Sequence, residues 1–195
     1  GLIVQGACPP EIIDALALTR LVPLRKARGR IRPLAMGEAL RRLASRALCR
    51  AFPHEMRDAV GPAQFAIGRG SGVEHMFHSA QALAAASPEL VWLALDAENA
   101  YCAVHRSVVL AAVAESLPSV LPYARSLLAR TSQYLFRDCD GTLHRSAARE
   151  GVDQGDPISP FLFALAIAAP LARVRARLQA AAEAAGLGPA SIHVF

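Results

Sequence analysis

Gly151-Val-Asp-Gln-Gly-Asp-Pro-Ile-Ser-Pro160, with Phe-Leu-Phe163 behind it, is the most constrained stretch of the chain. Two glycines, an amide and two carboxylates crowd ahead of a proline, and an apolar run starts at once. Proline fixes φ near its helical value and is tolerated in a first turn, so the pattern reads as a loop opening a long helix at Pro157. Gly186 suits that helix's carboxyl-terminal cap. Just upstream, Asp138-Cys-Asp-Gly141 reads as a hairpin turn between two short polar strands. Helical spacing is found at about 106–116 and 122–134.

Further upstream, Leu90-Val-Trp-Leu-Ala-Leu95 is six unbroken apolar residues. Such a run predicts a strand buried on both faces, delivering the carboxylate of Asp96 at its end. Gly68-Arg-Gly-Ser-Gly72 breaks the chain before a helix over 73–86 that Ser87-Pro88 ends. From Glu38 to Phe52, Leu40, Leu43, Ala44, Ala47, Leu48 and Ala51 keep helical spacing, with Arg41, Arg42, Arg46 and Arg50 on the other half of the wheel. The runs 20–25 and 30–35, joined by Lys-Ala-Arg-Gly, predict a two-stranded ribbon with a basic tip, its prolines placing it at a sheet edge. Ser191-Ile-His-Val-Phe195 has the look of one more strand. The fold class expected is α+β.

The chain has 195 residues, 53% apolar and 19% charged. That balance excludes a disordered or linker protein and suits one domain or two small halves. The longest uncharged stretch, 157–172, carries two internal prolines and falls short of the roughly 18 apolar residues of a bilayer crossing, so no membrane partner is expected. The sequence begins at Gly1 and reads as a piece of something longer. Cys8, Cys49, Cys102 and Cys139 show no C-x-x-C spacing, which predicts neither a zinc site nor a disulfide framework and suits a reducing, intracellular setting, nuclear and cytoplasmic alike.

Net charge is +5, and all but one of the 21 basic residues are Arg. Eleven of them fall between Arg20 and Arg57, against only Glu38 and Glu55. This is the footprint of a phosphate-bearing partner; the alternative is a solvated basic face. Glu74-His75-Met-Phe-His78 matches no zinc signature.

Two of these segments resemble motifs of the reverse transcriptases, in the form found in non-LTR retroelements and group II intron-like enzymes. Asp96 to Tyr101 is similar to motif A, and Gly151 to Phe163 to motif B. Leu24-Arg-Lys26, Ile31-Arg-Pro-Leu34 and Leu40-Arg-Arg-Leu43 are similar to the family's fingers segment. The resemblance implies a polymerase right-hand fold: basic fingers over 1–87, then a palm over 88–195 that stops before motif C, with no thumb. No Asp-Asp pair, the mark of motif C, occurs in the chain.

The implied chemistry is two-metal nucleotidyl transfer onto a primer. Two Mg²⁺ (or Mn²⁺) ions about 3.5–4 Å apart hold the attacking hydroxyl and the leaving pyrophosphate, so hard oxygen ligands must converge on a strand end. Asp96 is the implied catalytic and metal-binding carboxylate. Tyr101 resembles the steric gate that excludes a ribose 2′ hydroxyl; the alternative is a packed core tyrosine. Lys26 and Arg32 would neutralise the triphosphate of a deoxynucleoside triphosphate, or stand as solvated charges at the ribbon tip. Gln154 would hydrogen-bond in the pocket floor, and Gly155, lacking a Cβ, would let the nucleotide approach the backbone. Asp156 reads as a cap for the following helix. Arg41, Arg42 and Arg46 would contact an RNA template and DNA primer. With motif C missing, the chain alone is expected to be inactive. Other readings are an RNA-dependent RNA polymerase, which shares the palm, and a retroelement-derived nucleic-acid-binding protein without catalysis. Oligomeric state is not legible.

Overall fold

The computed structural model describes residues 1–25, 27–29 and 31–186. Lys26, Arg30 and the strand expected at Ser191–Phe195 lie outside the described residues. In chain order the elements are α1 (Pro10–Ala17), β1 (Leu18–Arg25), β2 (Ile31–Gly37), α2 (Ala39–Ala51), α3 (Pro53–Val60), α4 (Gly72–Ala86), α5 (Ala100–Ala103), α6 (Arg106–Ser116), α7 (Leu121–Leu128), β3 (Ser132–Arg137), β4 (Leu143–Ala148) and α8 (Ser159–Ala184). Short 3-10 turns at Ala27–Gly29 and Pro118–Val120 complete the set. The fold is mixed α and β.

One four-stranded sheet has the order β2-β1-β3-β4. β1 and β2 form the expected ribbon, antiparallel, with Pro23 opposite Pro33 and Leu24 opposite Arg32. β1 joins β3 in parallel only over Leu18–Arg20, so Pro23 lies beyond that pairing, where a missing N–H breaks no ladder. The sheet thereby crosses residue 87, and the two expected halves share it. β3 and β4 pair antiparallel around the expected turn. There Asp138 accepts the N–H groups of Asp140 and Thr142 and meets His144 Nε2 at 2.6 Å. The His144 side chain and these N–H groups hold the Asp138 carboxyl below its usual range.

The core lies where α6, α7 and the first half of α8 meet α2 and α3: Val109, Val113, Val120, Tyr123 and Phe161 are nearly inaccessible. Among the described residues no helix is long and apolar enough to cross a membrane.

Four expectations are corrected. Residues 90–95 form no strand: the run has no regular secondary structure and no ladder, and Val91 is 93% and Leu93 78% exposed. An apolar run shows that a segment can be buried, whereas a strand also requires a neighbour, and none of the described strands pairs with it. The helix expected over 122–134 ends at Leu128, because Ser132–Tyr134 are drawn into the sheet beside β1. α8 starts at Ser159, with Pro160 in its first turn, and Pro157 belongs to the preceding loop. Finally, the buried stripe of α2 is Arg41, Ala44, Ser45 and Leu48, while Leu40 and Leu43 are 57% and 64% exposed. Arg41 is thus no surface contact for nucleic acid, and the reason is in the site.

Candidate functional site

The loop 151–157 is gripped from two sides. On one, Gly151 N–H donates to Val104 O at 2.8 Å and Val152 N–H to Tyr101 O at 2.7 Å. On the other, Ala35 N–H of β2 donates to Gln154 O at 2.8 Å. Both loop glycines have positive φ and both are pressed against backbone. A Cβ on Gly151 would lie 2.6 Å from Cys102 O, and one on Gly155 2.6 Å from Ala35 O. The absent Cβ of Gly155 therefore makes room for the protein's own strand β2. Gln154 is half-buried and Gly155 exposed.

Asp153 and Asp156, which flank those two residues, are both buried and both meet one guanidinium. Arg41 Nη2 lies 2.8 Å from Asp153 Oδ2, and Arg41 Nε 2.8 Å from Asp156 Oδ2. The second contact is Coulombic, because the Nε–H is not aligned for a hydrogen bond. Burial alone would lower the Arg41 pKa; the carboxylates of Asp153 and Asp156 reverse this and hold it above its ordinary value. Thr19 Oγ1 donates to Asp153 Oδ2 at 3.1 Å, and Tyr134 OH to Oδ1 at 2.6 Å. Asp156 Oδ1 accepts Ile158 N–H at 3.2 Å, so Asp156 does serve the turn into α8. Tyr123 OH donates to Arg41 O at 2.9 Å and pairs with Ser45 Oγ at 2.7 Å. The void left between Arg41, Tyr123, Asp153 and Asp156 is about 10 Å³, no larger than a single water.

A second buried arginine fixes the other end of the loop. Arg106 donates through Nε to Gly151 O at 2.8 Å, through Nη1 to Arg130 O at 2.7 Å and through Nη2 to Ser132 Oγ at 2.9 Å. Arg106, Thr19, Tyr123 and Tyr134 were not singled out in the sequence. Local pattern offers no signal for them, since each is explained by a partner distant in the chain.

Of the residues singled out, Tyr101 meets loop 151–157 at Val152, while Gln154 and Gly155 meet β2 on its other side. Tyr101 is half-buried and stacks on Phe163, with centroids 5.1 Å apart. Arg32 is exposed on β2, the strand that receives Gln154. Arg46 is exposed and Arg42 half-buried on α2. Asp96 stands exposed, outside any helix or strand. The described residues do not fit a two-ion centre: no group of three or more His, Cys, Asp or Glu is placed to hold a metal. The loop carboxylates nearest in character, Asp153 and Asp156, are engaged by Arg41. A cavity of about 600 Å³ lies elsewhere, between α6, α8 and the 59–76 segment; its wall is mostly apolar, with Glu115 and Arg175 its charged residues.

Searches against protein-family models and against curated proteins each returned no match for this chain.

Proposed function

We propose that this chain is the fingers and incomplete palm of an RNA-directed DNA polymerase, acting on an RNA template, a DNA primer and deoxynucleoside triphosphates. The observation that carries the proposal is the two-sided hold on loop 151–157. Ala35 N–H to Gln154 O and Val152 N–H to Tyr101 O join the three segments that resemble the fingers, motif A and motif B, although they are far apart in sequence. A nucleotide at Gln154 and Gly155 would have the Tyr101 turn on one side and β2, carrying Arg32, on the other. Mg²⁺ or Mn²⁺ would need Asp96 together with ligands outside the described residues. A non-catalytic nucleic-acid-binding protein is the second reading, favoured by the lack, among the described residues, of any group of three or more His, Cys, Asp or Glu placed to hold a metal.

The first test is salt dependence. Binding of the chain to a primed RNA–DNA hybrid should weaken steeply between low and moderate salt, as counterion release requires, and show little sequence preference. Arg42→Ala, Arg46→Ala and Arg50→Ala together should reduce the slope of log K against log salt by about 2–3 without unfolding the chain. A flat salt profile overturns the proposal. Primer extension by a longer protein carrying the downstream palm and thumb, lost on Asp96→Asn, separates polymerase from binding protein.

A further inference from the structure

Asp153 and Asp156 bracket Gln154 and Gly155, and one α2 side chain reaches both, at 2.8 Å each. We infer that Arg41 is a positioning residue that ties the Gln154–Gly155 loop to α2, so that a nucleic acid held on the outer face of α2 steadies the loop that meets the nucleotide. The inference rests on the function proposed above and adds a coupling between its two binding surfaces.

The geometry for this is direct. Arg41 points inward, while its neighbour Arg42 is half-buried and Arg46 and Arg50 are exposed on the same helix. A planar guanidinium presents Nη2 to one carboxylate and Nε to the other at a fixed separation, which an ammonium on a flexible stem does not. The far side of the guanidinium is closed as well: Nη1 donates to Thr19 Oγ1 at 3.3 Å, and Tyr123 OH holds the Arg41 carbonyl at 2.9 Å. The void beside it admits no more than a single water, so the cluster has little room to absorb a shift of α2 by itself. Motion of α2 is therefore passed to both ends of the Gln154–Gly155 pair. Coupling between binding sites is reciprocal, so a nucleotide at the loop raises affinity for the hybrid by the same factor as the hybrid raises affinity for the nucleotide.

The experiment is hydrogen exchange of the 195-residue chain, free and saturated with a primed RNA–DNA hybrid of about one and a half to two turns, read on the peptide spanning 151–158. In the wild type the hybrid should slow exchange there about fivefold or more, within the usual range of coupling between sites. Arg41→Lys keeps the charge and leaves Arg42, Arg46 and Arg50 in place; it should bind the hybrid with similar affinity yet lose the slowing at 151–158. Asp156→Asn, which keeps shape and removes one carboxylate, should do the same and serves if Arg41→Lys does not fold. A purely structural Arg41 predicts faster exchange in the free variants with the hybrid-induced slowing intact, and that result overturns the inference, as does a wild type that binds the hybrid with no change at 151–158. Failure of the wild type to bind the hybrid at all instead overturns the proposed function, and the coupling falls with it.

Discussion

The ring of Tyr101 lies over that of Phe163, with centroids 5.1 Å apart and planes 18° from parallel. Phe163 belongs to the first turns of α8, so the stack pins the turn after Asp96 to the helix that follows the 151–157 loop. Burial pushes the Tyr101 hydroxyl pKa up, as expected for a ring packed on one face. Tyr101→Phe should leave stability within about 0.5 kcal/mol, because the stack survives, and Tyr101→Ala should cost about 1–2 kcal/mol by urea unfolding. In the complete polymerase that the proposal implies, Tyr101→Val should also raise the kcat/KM ratio for ribonucleotides over deoxynucleotides. An unchanged ratio in a folded variant would leave Tyr101 with packing as its whole role.

Arg106 should be far more costly to lose than its helix position suggests. Its side chain is buried and serves Gly151 O, Arg130 O and Ser132 Oγ together. Arg106→Ala leaves three acceptors without that donor and opens a void, which should cost about 3–5 kcal/mol. Arg106→Lys cannot serve all three and should recover only part of the loss. Arg173→Ala on the exposed half of α8 is the control, with a change within about 0.5 kcal/mol. Parity between Arg106→Ala and this control in urea midpoint would remove Arg106 from the framework of the loop.

Alkali should unfold the protein in a manner set partly by Tyr123. Burial, and then the negative charge of Asp156, push its hydroxyl up to about 12 from an ordinary value of 10. A pKa raised in the folded state means that the folded form keeps its proton longer. The stabilisation is fully present below pH 10 and is lost as pH rises through about 12, at roughly 1.4 kcal/mol per pH unit. Tyr134 is raised as well, by burial and then by Asp153, and adds in the same direction. Tyr123→Phe removes the titration but strands Ser45 and the Arg41 carbonyl. Its stability should therefore be about 1–2 kcal/mol lower at neutral pH, and should fall less steeply above pH 10. Equal alkaline slopes for the variant and the wild type would exclude Tyr123 as the titrating group.

What could be read from the sequence divides along the range of the forces involved. The ribbon, α4, α6, the Asp138–Gly141 turn and the loop leading into a long helix were all legible, because glycine, proline and local periodicity set them. The phase of α2 was not. Leu40 and Leu43 mark an apolar face by composition, yet Arg41 takes the buried position, since its two carboxylates lie in a loop more than a hundred residues further on. The run 90–95 failed for the matching reason: its composition allows burial in a sheet, but a ladder needs a partner that local pattern does not name. The same holds for the candidate site. Tyr101, Gln154 and Gly155 were singled out through the motifs that they resemble, whereas the contacts of Arg41 and Arg106 with loop 151–157 have no local signal and are seen only in three dimensions.

Gly155 offers the sharpest check on how the loop is seated. Its φ is +136°, a region that a residue with a Cβ adopts only under strain, and the Cβ of an alanine would stand 2.6 Å from Ala35 O and 3.2 Å from Leu34 Cδ1. The first contact is with backbone inside a paired strand, which cannot turn aside as a side chain can. The loop must then back away from β2, and the Ala35 N–H to Gln154 O bond of 2.8 Å is the first contact to be lost. Strain of this kind costs about 1–3 kcal/mol, and the lost bond adds about 1 kcal/mol, so Gly155→Ala should destabilise the chain by about 2–4 kcal/mol. Ala35 is buried, so its amide should be protected in the wild type and exchange at least tenfold faster in the variant, while amides on α6, remote from β2, change only with global stability. A Gly155→Ala variant of wild-type stability with an unaltered Ala35 amide would show that the loop is not seated on β2, and would remove the contact on which the functional proposal rests.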